Sequence, residues 1–214
     1  MKTVLVTGFE PYGGMTSNPA FAAMQALDGD IIGGYRVVGR ELPVSMAKIA
    51  EAIHAVLDET KPDAIVALGL APGESVIRIE RVGLNLADFS LADNEGERLQ
   101  DKPVSGDGAA ARWATLPMRD IYDTLIAEGI PARLSVTAGT YLCNACLYTL
   151  LEALDGRAPA GFIHVPMTPE LVCEELRLGR DRIDERNPPP SMELSRIVAA
   201  VRIVINQTIL SSMV

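Results

Sequence analysis

Apolar positions along the chain fall into two alternating rhythms. Short, nearly continuous apolar runs at 3–9 (TVLVTGF), 35–42 (YRVVGREL), 63–70 (DAIVALGL), 74–86 (ESVIRIERVGLNL), 132–139 (ARLSVTAG) and 160–167 (AGFIHVPM) have the length and β-branched content of strands. Between them, 17–27, 45–60, 118–129 and 144–154 repeat with a period near 3.6, and a final helix is predicted from about Ser191. In 45–60 the residues Ile49, Ile53, Val56 and Leu57 share one face; in 17–27 Asn18 is placed to cap and Pro19 stands at the first turn, where its missing N–H costs nothing. The alternation predicts one α/β domain over residues 1–214, a sheet covered by helices on both faces, with no internal repeat. Two stretches break the rhythm. Residues 87–117 hold few periodic apolar positions, and a loop of that length in a compact domain is functional or mobile. Residues 177–190 (RLGRDRIDERNPPP) are charged and then Pro-rich, and read as a mobile excursion.

Composition narrows the function classes. A formal charge of −9, with no basic run interleaved with aromatics, predicts no nucleic-acid partner and no anionic membrane surface. The N-terminal apolar stretch is too short for a signal peptide, and no segment is expected to span a bilayer. Three cysteines, an odd number, predict reduced thiols in the cytoplasm rather than a disulfide framework.

Three constellations carry candidate chemistry. GFEPYGGMT spaces Gly8 and Gly13 like a phosphate loop, but Gly14 and Met15 stand where Lys and Ser/Thr are needed. It is either a strand-to-helix turn that needs Gly or a loop that projects Phe9 and Tyr12 at a strand's carboxyl end, where open α/β sheets bind ligands. Cys143 and Cys146 form a C-x-x-C, and with Cys173 and His164 they make a zinc set that lacks a second short knuckle. Cys146 and Cys173 are read as small core residues. Cys143 opens the 144–154 helix, where unpaired N–H groups and the dipole favour a thiolate nucleophile. Of the two histidines, His54 is read as solvated on a helix. His164, near the end of a buried strand, is either a satisfied core residue or the proton carrier such a nucleophile requires. Glu80 is a carboxylate in an apolar strand: it either pairs with the adjacent Arg81 or orients an imidazole.

Taken together, VTGFEPYGG, GLAPG followed by ERVGLN, AGTYLCN, GFIHVPMTPE and PSMELSRIV resemble, in order and across almost the whole chain, the pyroglutamyl peptidase I family. The combination E-R-V-x-x-N, G-T-Y-x-C-N and F-I-H-x-P is far more specific than any one of its parts. The resemblance implies a cysteine peptidase that removes an N-terminal pyroglutamyl residue from peptides, with Cys143 as nucleophile, His164 as general base and then acid, and Glu80 orienting it. It also implies a three-layer α/β/α sandwich around a twisted, mixed, mostly parallel sheet, a cytoplasmic homotetramer and no cofactor or metal. Phe9, Tyr12, Asn18, Tyr141 and Leu142 fall at its substrate-pocket positions. A neutral lactam ring suits such an apolar slot, whereas an ordinary N-terminal ammonium would be costly to bury there.

Two positions depart from the family: Ser90 where Arg is common, and Leu70 where bacterial members often carry Gln. Two other classes share the expected architecture. A nucleoside-phosphorylase-like enzyme would need phosphate-binding groups and an acid for the ribose. A non-catalytic relative would retain pyroglutamyl peptides without turnover.

Overall fold

The computed structural model describes residues 1–179 and 184–212. Its elements, in chain order, are β1 (Thr3–Phe9), α1 (Pro19–Leu27), β2 (Ile31–Ile32), β3 (Tyr35–Leu42), α2 (Met46–Thr60), β4 (Ala64–Leu70), β5 (Ile77–Glu80), β6 (Val82–Leu84), β7 (Ala111–Trp113), α3 (Met118–Ala127), β8 (Ala132–Ser135), α4 (Leu142–Leu154), β9 (Ala160–Val165), α5 (Pro169–Arg177) and α6 (Leu194–Ser211). Residues 180–183, within the stretch expected to be a mobile excursion, lie outside the described residues.

Seven strands form one sheet in the order β2-β3-β1-β4-β9-β5-β8. The central strands β3, β1, β4 and β9 run parallel, β5 runs against β9, and β8 runs with β5. Side chains alternate between the two faces of each strand. Leu5, Ile65, Ala67 and Phe162 pack on one face against α2 and α4. Val4, Val6, Val66, Ile79 and Ile163 pack on the other against α1, α3 and α6. The expected three-layer sandwich around a mixed, mostly parallel sheet is therefore what the chain forms. Close packing has local requirements: a Cβ at Gly8 would lie 2.7 Å from the Phe21 Cα, so α1 rests directly on the backbone of β1.

Several elements differ from the pattern-based expectation. The run 74–86 is two strands, because the chain leaves the main sheet at Arg81 and β6 pairs with β7 beneath α4. Residues 87–117 are neither structureless nor loose. Ala87 and Phe89 are buried, Asn85 bonds Ser105 and Gly108, and Tyr148 donates to the Ala109 carbonyl at 2.7 Å. Helix α5 escaped detection although Thr168 and Pro169 are a standard start signal; the Thr168 hydroxyl accepts from Leu171 N. Cys173, expected in the core, is exposed on this helix, whereas Cys146 is buried as expected. The edge strand β2 is too short to leave a pattern, and α6 begins at Leu194 rather than Ser191.

Contrary to expectation, one segment among the described residues is long and apolar enough to cross a membrane: α6 has 18 residues and a mean hydropathy of 1.3. Its apolar stripe, Ile197, Val201, Val204, Ile205 and Ile209, lies in the core, while Arg196 and Arg202 point outward to Gly129 and Asp30.

Asn144 joins these layers. It is fully buried in the first turn of α4, accepts from Leu84 N and donates to the carbonyls of Leu84 and Leu86. Asn144→Ala strands three part-buried backbone partners, and is expected to cost about 3 kcal/mol in chemical denaturation.

Candidate active site

Helix α4 begins immediately after Tyr141, whose side chain makes no capping bond, so Cys143 stands as the second helical residue. The position of its sulfur follows from Gly69 on β4. A Cβ there would lie 2.9 Å from Cys143 Sγ and 2.6 Å from the Phe162 ring, so the thiol occupies space that any other residue would fill. Across the β4/β9 ladder Gly69 is the register partner of His164. Paired residues of neighbouring strands project to the same face, which places the thiol and the imidazole side by side on the α4 face of the sheet.

His164 is buried, and its Nδ1 donates to Glu80 Oε1 at 2.8 Å. A carboxylate acceptor fixes the proton on Nδ1 and leaves the lone pair on Nε2. Glu80 comes from the antiparallel strand β5, where it opposes Phe162, with Arg78 opposite His164. His164 lies near the carboxyl end of β9, as expected, and meets Cys143 there although β8, the strand before α4, runs with β5 against the parallel strands. Glu80 does have an ion-pair partner, but it is Arg78 at 2.9 Å rather than Arg81. His54 is exposed on α2, with Nδ1 against the Ala50 carbonyl, as expected.

The electrostatics reverse one expectation. Burial first and the Glu80 charge second push the Cys143 thiol up to about 12, against the opposing effects of Arg78 and the residue's own N–H. A helix terminus contributes about 0.3–1 kcal/mol in favour of an anion, while desolvating a charged group costs several kcal/mol. Burial therefore wins over the dipole. Burial likewise pushes the His164 imidazole below its ordinary value, against the hydrogen bond it donates to Glu80, which raises it. The resting pair is a neutral thiol beside a neutral imidazole.

Beside Cys143, a pocket is lined by Phe9, Tyr12, Asn18, Val44, Leu70, Tyr141 and Leu142, which brings together every expected pocket residue. Its volume is about 10 Å³, so it is nearly closed. Tyr141 is held by an edge-on contact with Phe89 at 4.8 Å and by its hydroxyl, which donates to the Ala92 carbonyl. The amide of Asn18 is engaged in local structure, accepting from Ala20 N and donating to the Glu10 carbonyl. The GFEPYGG turn thus serves both readings, packing tightly at Gly8 and presenting Phe9 and Tyr12. Tyr12 and Tyr141 also border a second cavity of about 460 Å³, which includes Met15, Ser90, Leu91 and Met167. The four residues of the zinc set do not converge, and among the described residues no group of three His, Cys, Asp or Glu is placed to hold a metal.

Three residues of the site were not singled out from sequence. Gly69 could not be found without the register. Arg78 could have been: it is two residues from Glu80 on a strand and shares its face, whereas the adjacent Arg81 points to the other side. Asn144 was visible in the AGTYLCN stretch but had no assigned partner.

The resting state can be read by alkylation with iodoacetamide, followed cysteine by cysteine by mass spectrometry. Exposed Cys173 is expected to react first and buried Cys146 last, with the Cys143 rate still climbing above pH 10. A plateau for Cys143 below pH 8 would instead mean a preformed thiolate–imidazolium pair.

Comparison with known proteins agrees with this arrangement. The Pyroglutamyl peptidase family model matches residues 2–211. The pyrrolidone-carboxylate peptidase of Bacillus thuringiensis (strain Al Hakam) is 39% identical over 213 residues, covering 97% of this chain and 93% of that protein. A pyrrolidone-carboxylate peptidase of Bacillus cereus is 43% identical over 173 residues, 79% of this chain and 80% of that protein. Among solved structures, a mutant pyrrolidone carboxyl peptidase from the hyperthermophile Pyrococcus furiosus superposes with a TM-score of 0.91 at 40% identity, covering 99% of both chains. Pyrrolidone carboxyl peptidase from Thermococcus litoralis gives 0.92 at 37% identity, covering 100% of this chain and 96% of that one. With the family model spanning nearly every residue and the fold shared throughout, the chain belongs to the pyroglutamyl peptidase family of cysteine peptidases.

Proposed function

We propose that the protein hydrolyses the bond after an N-terminal pyroglutamyl residue, with Cys143 as nucleophile, His164 as the proton carrier and Glu80 as its orienting acceptor. The observation that carries this reading is the register: the Cys143 sulfur fills the space over Gly69, and the partner of Gly69 is His164, whose Nδ1 is held by Glu80.

The steps follow from the protonation states. Because both groups rest neutral, the thiol proton passes to His164 Nε2 as the sulfur adds to the pyroglutamyl carbonyl. The imidazolium then gives that proton to the departing amine as the C–N bond breaks, leaving a thioester. Water attacks the thioester with His164 as base, and pyroglutamate leaves as the thiol is restored. Negative charge on the carbonyl oxygen meets the unpaired N–H groups of the first turn of α4. Ser90 adds no cation there, so the backbone carries that role. Glu80 keeps the imidazole in the tautomer that presents its lone pair to sulfur.

The lactam occupies the pocket of Phe9, Tyr12, Asn18, Tyr141 and Leu142, which has to widen to admit it. The remaining peptide extends into the adjoining cavity past Tyr12 and Tyr141. These steps use no group beyond chain, substrate and water. We further propose that the enzyme works in the cytoplasm as a homotetramer, with neither nucleic acid nor membrane as partner. Three free thiols support the reducing setting and the net negative charge supports the absence of polyanionic partners. Light scattering is expected to give four times the chain mass; a monomer at micromolar concentration would overturn the assembly.

Release of a fluorescent amine from its pyroglutamyl amide tests the chemistry. Cys143→Ser is expected to abolish it, whereas Cys146→Ser and Cys173→Ser retain it. His164→Ala should lower turnover by about 10²- to 10⁴-fold, with His54→Ala near the parent rate and Glu80→Gln in between. Stoichiometric binding of pyroglutamyl peptide without release would favour a non-catalytic member, and a requirement for phosphate would favour a phosphorylase.

A further inference from the structure

A chain of alternating charges runs behind His164. Arg133 on β8 reaches Glu74 at 2.7 Å, and Glu74 holds Arg78 Nη1 at 3.1 Å. Arg78 Nη2 lies 2.9 Å from Glu80 Oε1, the same oxygen that accepts from His164. The Glu80 side chain has no exposed surface, and its other oxygen, Oε2, has no hydrogen bond among the described residues. A carboxylate so placed is costly to keep ionised without a cation on it. Arg78 is also anchored on the far side of the site, donating to the Thr137 carbonyl at 3.0 Å with Ser135 Oγ at 3.4 Å.

We propose that Arg78 is a positioning residue that pairs with the buried Glu80 carboxylate and offsets its charge toward Cys143 and His164. Glu80 then acts on the imidazole as an oriented hydrogen-bond acceptor rather than as the counter-ion of a resting imidazolium. Without such a cation, one buried negative charge would have two adverse effects. It would hold a proton on the pair before substrate arrives, removing the base. It would also oppose the thiolate that must develop on Cys143.

The charged and titratable groups facing the pair come from every neighbouring element: Arg78 beside Glu80 on β5, Glu74 ahead of it, Arg133 on β8 and Cys143 on α4. Glu74 favours a proton on His164 and Arg78 disfavours it; Arg133 offsets Glu74 directly. Arg78 also favours the Cys143 thiolate. Removing Arg78 therefore has a definite sign. Whether the extra proton settles on imidazole or carboxylate, the coupled pair takes it up at higher pH. Opposite charges at this range shift a group by about 1–3 units.

The proposal rests on His164 acting as the base, but its first measurement needs no substrate. The chain has two histidines, so imidazole ¹⁵N NMR of labelled protein follows His164, with exposed His54 as internal reference. In Arg78→Met the His164–Glu80 pair is expected to titrate about one to two units higher than in the parent, with His54 unmoved. The acid limb of kcat/KM should shift by the same amount, and Arg78→Lys should return both at least halfway. Should the methionine variant fail to fold, Arg78→Gln, which retains a donor for Thr137, repeats the measurement. A His164 titration that superimposes on the parent, or a lysine variant indistinguishable from the methionine one, would overturn the role. A failure of peptidase activity with the titration shift intact would count against the proposed reaction and not against this electrostatic assignment.

Discussion

The close approach of α4 to the sheet is the constraint on which the site depends. Two glycines permit it: Gly69 leaves room for the Cys143 sulfur, and a Cβ at Gly83 would lie 2.9 Å from the Tyr148 backbone nitrogen. Between them, Asn144 ties the first turn of the helix to Leu84 and Leu86. The thiol is thereby set by backbone packing rather than by a flexible loop. The same approach explains why the chain leaves the main sheet at Arg81: β6 must follow the helix while β5 stays with β9. Residues 87–117 then cover the helix they have followed, and Phe89 closes against Tyr141 at the mouth of the pocket.

Burial of this kind has an electrostatic consequence. A thiol packed against a sheet and only partly exposed is hard to ionise, and the helix dipole is too weak to compensate. The surroundings therefore disfavour a permanently charged thiolate–imidazolium pair at rest. In the proposed reaction the proton transfer accompanies attack, which requires an imidazole already oriented and still unprotonated. The Nδ1 bond to Glu80 supplies the orientation, and Arg78 on the same carboxylate oxygen opposes premature protonation. The strand period makes this economical, since residues 78 and 80 share a face opposite 162 and 164 of the neighbouring strand.

Much of this was legible in the sequence, and the gaps have physical causes. The sandwich could be read because its central strands and long helices carry strong periodic signals. Cys143, His164 and Glu80 could be read because a thiol at a helix start and a buried acid are each unusual locally, and because the surrounding stretches resemble one family. What escaped depended on pairing: the antiparallel direction of β5, the split at Arg81 and the opening over Gly69 exist only once strands have neighbours. The order in 87–117 escaped because it rests on single contacts by Asn85, Phe89 and Tyr148 rather than on periodicity. Cys173 was misjudged because α5 itself was missed, and with it the outward face on which that residue lies. The opposing effect of packing on the Cys143 thiol escaped because a helix start is visible in sequence whereas desolvation is not.

The electrostatics also bear on which N-terminus the pocket admits. Its lining of Phe9, Tyr12, Asn18, Val44, Leu70, Tyr141, Leu142 and Cys143 contains no carboxylate. Glu80, behind His164, is already committed to His164 and Arg78 through one oxygen. An ordinary α-ammonium entering this space would lose its hydration and gain no partner anion, a cost of several kcal/mol. A pyroglutamyl lactam carries no charge and presents an amide N–H and a carbonyl, which make smaller demands on the pocket. The arrangement that keeps the imidazole unprotonated therefore also leaves no free anion for the wrong substrate, so that reactivity and selectivity draw on the same paired charges.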